Sequence, residues 1–154
     1  MKINLETQTE EKLQKITGIM PYDFLGFTLD LKESELTDTL DKLSRDIDLG
    51  LIQTIDTLLI HYSEAKLAPL SGKLVKFKDL PGGYAYEGAF IKRAIQPVEH
   101  VFGENIESLV KAAELFGGFK LEFGDTSVQI KSLKNIPLTY ILYGAGEFPA
   151  SANI

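Results

Sequence analysis

Pro97 falls inside a stretch whose apolar residues otherwise recur with helical spacing, and a proline there forbids an ordinary α-helix. It has no N–H to donate, and its ring displaces the carbonyl four residues earlier, here that of Arg93, at a cost of about 3 kcal/mol. Two solutions are open. Either Gln96 ends one helix and Pro97 opens the next turn, a position proline tolerates, or a single helix is kinked. The stretch Leu80 to Phe102 is unusual on its other side too, where a Pro81-Gly82-Gly83 turn leads into Tyr84 and Tyr86. On a straight helical wheel Phe90, Ile91, Ala94, Ile95, Val98, Val101 and Phe102 share one face, and Arg93, Gln96 and His100 share the opposite edge. That edge reads either as a solvated polar face or as a place to hold a ligand.

The chain has 154 residues, enough for a single domain that needs no covalent staple. There is no cysteine, so disulfides, thiolate-bound zinc and iron–sulfur ligation by this chain are excluded. The N-terminal MKINLETQTEEKLQK carries no apolar core of a signal peptide, and no apolar run approaches a membrane span, so the expectation is a cytoplasmic protein. A net charge of −6 argues against nucleic acid as a partner, because phosphate affinity needs clustered Lys and Arg. Lys73, Lys76 and Lys78 are the nearest thing to a basic patch, and on an exposed strand they would protect an edge.

In chain order, the pattern predicts a helix over Thr7 to Ile16, capped by Thr7 or Thr9 and ended by Gly18. Phe27, Leu29 and Leu31 alternate with polar residues as a strand. Leu36, Leu40, Leu43 and Ile47 predict a helix over Ser34 to Ile47. Asp48 caps a stronger helix, Leu49 to Lys66, with a wide apolar stripe. Lys73 to Lys78 reads as a strand and Glu104 to Phe116 as a helix ended by Gly117. Phe119 to Phe123 and Thr126 to Ile130 read as a hairpin about Gly124-Asp125, with Leu121 opposite Val128, Phe119 opposite Ile130 and Lys120 opposite Gln129. Leu138 to Tyr143 is apolar enough for an interior strand. Together these predict an α+β domain over residues 1–154, with a mostly antiparallel sheet packed against helices.

Chemistry-bearing motifs are sparse. His61 and His100 lie on different predicted helices without metal-ligand spacing, so neither a metal nor a cofactor is expected. His61 sits beside Thr54 and Thr57, where a buried imidazole satisfied by a neighbour and a functional one are both open. Glu147, set among Gly146, Phe148 and Pro149 after a strand, is an acid at a strand end. Tyr84 and Tyr86 read as core caps or as lining for a pocket with Arg93. Arg93 itself is a candidate anchor, because a guanidinium grips a carboxylate or phosphate with two parallel bonds, or else it is a structural tie to an acid such as Glu147.

Six segments taken together resemble a family of anaerobe bacterial and archaeal proteins catalogued as a domain of unknown function, DUF3786. They are LLIHY (58–62), PLSGKLVKF (69–77), LPGG (80–83), AFIKRAIQP (89–97), FGG with the later GD (116–118 and 124–125), and EFPASANI (147–154). The resemblance implies a shared fold and no assigned catalytic residue. It also implies a link to metallocofactor or corrinoid metabolism, in which an iron–sulfur or corrinoid protein would be the partner. Family members continue beyond the EFPASANI-like segment, so a C-terminal strand and helix are expected to be missing here.

The functional expectation is a non-catalytic accessory domain that binds an anionic small molecule or an acidic protein segment through Arg93, Tyr86, His61 and Glu147. The alternative is an enzyme acting on an anionic small molecule with Arg93, His61 and Glu147.

Overall fold

The computed structural model describes residues 1–40 and 47–154. The chain is α+β and comprises two compact units, Met1–Pro69 with Leu133–Asn135, and Leu70–Ser132 with Ile136–Ile154. Among the described residues the strands form two antiparallel sheets, of three and four strands.

The first unit contains helix α1 (Thr7–Thr17), strands β1 (Tyr22–Phe24), β2 (Phe27–Asp30) and β3 (Glu35–Asp38), and helix α2 (Leu49–Ser63). Leu25 and Gly26, both at positive φ (47° and 76°), make the two-residue turn between β1 and β2, a geometry that matches strand twist. Alternation puts Tyr22, Phe24, Phe27, Leu29 and Leu36 inside, against Leu13 of α1 and Ile55, Leu59 and Tyr62 of α2. Full burial of side chains this size contributes about 1.5–3 kcal/mol each. Asp48 caps α2 as expected, its Oδ1 accepting from the Leu51 N–H at 2.7 Å. α1 instead has Glu6 at its N-cap with no side-chain bond, so neither Thr7 nor Thr9 serves there.

The helix predicted over Ser34 to Ile47 is corrected. Leu36 pairs with Leu29 in β3, and Asp38 Oδ1 accepts from the Leu40 N–H at 2.8 Å, turning the chain at the strand's end. β-Branched Thr37 suits that strand, and the helical spacing of Leu36 and Leu40 is coincidental. The remainder of the prediction, residues 41–46, lies outside the described residues.

Lys134 ties the first unit together by its backbone and its ammonium. Its N–H donates to Tyr22 Oη (2.7 Å), and its carbonyl accepts from Tyr62 Oη (2.9 Å). Its Nζ donates to the carbonyls of Ile16 (2.9 Å) and Thr17 (3.3 Å), which places a cation at the negative end of α1.

The second unit contains helices α3 (Gly83–Phe90), α4 (Gln96–Phe102) and α5 (Glu107–Glu114) and strands β4 (Phe119–Leu121), β5 (Thr126–Leu133), β6 (Ile136–Tyr143) and β7 (Ser151–Asn153). α3 and α4 are joined by a π-helical turn, Ile91–Ile95, in which the Gln96 N–H reaches the carbonyl of Ile91, five residues back. This third solution to the proline problem leaves Pro97 in the first turn of α4, where no N–H is required. The extra residue rotates the following face by about 100° from a straight wheel. Val101, assigned to the buried face, is therefore exposed, and Glu99 turns inward.

Strand order is β4-β5-β6-β7, which makes β6 interior as expected. The β4–β5 register differs by one residue from the prediction: Phe119 pairs with Gln129, Lys120 with Val128 and Leu121 with Ser127. Gly124, at φ 60°, approaches the Leu142 carbonyl to where a Cβ would lie at 3.1 Å, and the Asp125 N–H donates to that carbonyl. Held against β6 in this way, the turn takes a third residue. Lys120 is nevertheless exposed and Val128 buried.

The predicted strand Lys73 to Lys78 is not formed. Phe77–Asp79 is a single 3₁₀ turn, and Phe77 stacks on Phe90 with ring centroids 4.1 Å apart. Gly83 starts α3 so close beneath it that a Cβ would lie 1.9 Å from the Phe77 carbonyl oxygen, whereas Gly88 in the same helix faces open space. Gly83→Ala is therefore expected to lower the unfolding free energy by about 2 kcal/mol or more, and Gly88→Ala to raise it by about 0.5–1 kcal/mol. Urea unfolding of the two variants checks this, and equal midpoints would contradict the close approach.

Candidate functional site

A groove of about 300 Å³ lies in the second unit, lined by Lys76, Phe77, Lys78, Glu87, Phe90, Ile91, Ile95, Glu99 and Ala152–Ile154. Its floor is one helical stripe. Glu87, Ile91, Ile95 and Glu99 recur every fourth residue across the π turn, so two acids bracket two isoleucines. The Phe77–Phe90 stack closes one side and holds Lys76 and Lys78 at the rim. On the other side β7 is fixed to α4 through Glu99, whose Oε1 accepts from the Ala152 N–H at 2.9 Å. Among the described residues neither lysine forms an ion pair, although two carboxylates line the same groove.

The four residues expected from sequence to bind a ligand stand elsewhere. Tyr86 and Arg93 lie on the helical run of the second unit, both exposed, and neither lines the groove. Glu147 is exposed in the loop between β6 and β7, so the proposed Arg93–Glu147 tie is not made. His61, in the first unit, is exposed along an open depression of α2 with Gln53, Thr54 and Thr57. The two hydroxyls there donate to the carbonyls of Gly50 and Gln53, so the imidazole is not the buried, satisfied group that its neighbours suggested. No hydrogen bond or ion pair joins any of the four side chains among the described residues. Tyr84, read as a core cap, is 82% exposed.

Among the described residues, the groups with displaced ionisation lie outside the groove. Burial raises the Tyr140 hydroxyl and the Asp56 carboxyl, the latter partly offset by a hydrogen bond from the Asn4 backbone. Burial also raises Tyr22, while Tyr62, buried beside it, is pushed up to about 12. The described residues contain no cluster of three or more His, Cys, Asp or Glu side chains arranged for a metal. They contain no helix long and apolar enough to cross a membrane.

Because the Tyr62 hydroxyl holds its proton more tightly folded than unfolded, the stability it contributes is complete below pH 10 and lost as pH rises towards 12. Thermal melts are expected to fall across that window. Tyr62→Phe is expected to melt lower at pH 8, having lost the bond to Lys134, yet to fall less steeply from pH 10 to 12. A slope unchanged by the substitution would contradict the burial argument.

Neither the curated proteins nor the solved structures provide a match to this chain. The model of the family described as a domain of unknown function, DUF3786, matches residues 22–154, and the chain belongs to that family.

Proposed function

We propose that this DUF3786 protein is a non-catalytic binding module, an accessory domain that holds an anionic small molecule or an acidic segment of a partner protein. The observation that carries this reading is a convergence. Of the six segments that mark the family resemblance, PLSGKLVKF, AFIKRAIQP and EFPASANI line one groove, and LPGG supplies the glycine on which its aromatic wall rests. The groove offers unpaired ammonium groups at its rim and an apolar floor, the composition of a recognition site, at the small end of the usual pocket range. Hydroxyl, thiol and imidazole nucleophiles are not among its lining residues. We place the module in the cytoplasm, in the metallocofactor or corrinoid metabolism of anaerobes, with any iron–sulfur or corrinoid group carried by the partner.

Arg93 belongs to the same proposal as a second cationic contact on the exposed face of the helical run. It makes no ion pair among the described residues, so Arg93→Lys is expected to leave the melting temperature unchanged. A thermal-shift panel of inorganic phosphate, citrate and poly-glutamate tests the reading. At least one probe is expected to raise the melting temperature by about 2 °C or more, and Lys76→Ala/Lys78→Ala is expected to remove that shift without changing the unliganded melt. A shift that survives the double substitution but not Arg93→Lys moves the anion to the helix face. A panel with no shift at all overturns the anion reading.

A further inference from the structure

After the bend at Gly72, which lies at φ 72°, the run Lys73–Lys76 has the composition of a β-strand and no strand to pair with. Its residues are exposed, Leu74 and Val75 remaining 56% and 55% accessible, and Leu70 before the bend is 60% accessible. Among the described residues Leu70–Val75 make no backbone–backbone hydrogen bond; the one polar contact of a backbone N–H is that of Lys73 with Ser71 Oγ, at 3.2 Å. The backbone is extended where the run meets the 3₁₀ turn, at Lys76 with φ −74° and ψ 150°. An exposed row of unpaired N–H and C=O groups flanked by aliphatic side chains is a template for strand addition.

We propose that Lys73–Lys76, the extended run after Gly72, is a docking strand that pairs edge to edge with an extended, acidic segment of a partner protein. The proposal rests on the binding-module reading and names the partner's chemistry. Charge decides the occupant. In a chain of net charge −6, Lys73, Lys76 and Lys78 form a local cluster with no acid between Leu70 and Lys78 and no ion pair among the described residues. A second copy pairing through the same run would set these lysines against their own counterparts, whereas an acidic segment complements them. In extended geometry Lys73 shares a face with Val75, and Leu74 shares the other with Lys76, so each face offers one cation and one aliphatic side chain. The matching partner is a strand that carries acidic and aliphatic residues on both faces.

Selection from a random 12-residue peptide display library on the intact protein tests this. Enriched peptides are expected to be acidic and rich in β-branched residues. Alternate N–H groups of a strand point to opposite edges, so one of the variants Leu74→Pro and Val75→Pro should weaken binding at least tenfold while the other retains most of it. Lys73→Glu/Lys76→Glu should weaken binding comparably. Both proline variants are expected to keep the wild-type melting temperature, because the run makes no ladder bonds to lose. Failure to enrich acidic peptides overturns the proposal, as does self-association through this run in sedimentation. Peptides lost on Ile91→Glu but indifferent to both prolines would occupy the groove, overturning the docking strand while sparing the binding module.

Discussion

The second unit is organised around a hydrogen bond that cannot be made, the one Pro97 has no N–H to donate. An α-helix continued through that position would leave a carbonyl unpaired and in collision with the ring. The π turn Ile91–Ile95 removes the conflict by carrying the Gln96 N–H back to Ile91. The resulting rotation faces Ile95 and Glu99 inward together, and only then can the Glu99 carboxylate reach the Ala152 N–H of β7. The groove follows, since its floor is the helical stripe that the π turn aligns and one wall is the strand that Glu99 holds.

Regular elements were legible where a single physical signal decided them. α1, β2, α2 and β6 all appear close to their expected bounds, because a cap, a terminating glycine or an unbroken apolar run leaves few alternatives. Errors arose where spacing was compatible with two structures. Leu36 and Leu40 fit a helical wheel, yet the partner waiting opposite Leu36 was Leu29 of β2, a contact that no local window contains. The β4–β5 register failed for a related reason. Counting residues around Gly124-Asp125 assumes an isolated hairpin, whereas the Asp125 N–H is claimed by Leu142 of β6.

The candidate site was half legible. The stretch Leu80 to Phe102 stood out through its strained composition, and it does supply the groove floor. Tyr86 and Arg93 are expected from it by their chemistry, an aromatic wall and a bidentate cation, which does not fix the face of the helical run that meets the groove. Nothing in the sequence taken locally marks Glu87 or Glu99 as site residues. Their spacing of four with Ile91 and Ile95 was present in the sequence, but it becomes a signal only if one helical run is known to pass through the proline. Phe77 was missed because it was assigned to a strand, where its partner would have been a sheet neighbour and not the ring of Phe90.

Two extended segments that border the groove are treated differently, and the difference is informative. β7 lies at the end of its sheet, where outward N–H groups invite a foreign strand, and there Glu99 occupies the Ala152 N–H with a carboxylate. A charge-assisted bond of that kind is not easily displaced by a neutral carbonyl, so this edge is closed. Lys73–Lys76, after the bend at Gly72, has exposed aliphatic surface and positive charge, yet no side chain from elsewhere in the chain covers its N–H groups among the described residues. Solubility alone would favour blunting both. An edge that is capped beside one that is left open, at opposite sides of the same groove-bearing unit, argues that the open one is kept for a partner, and that its lysines choose which partner that is.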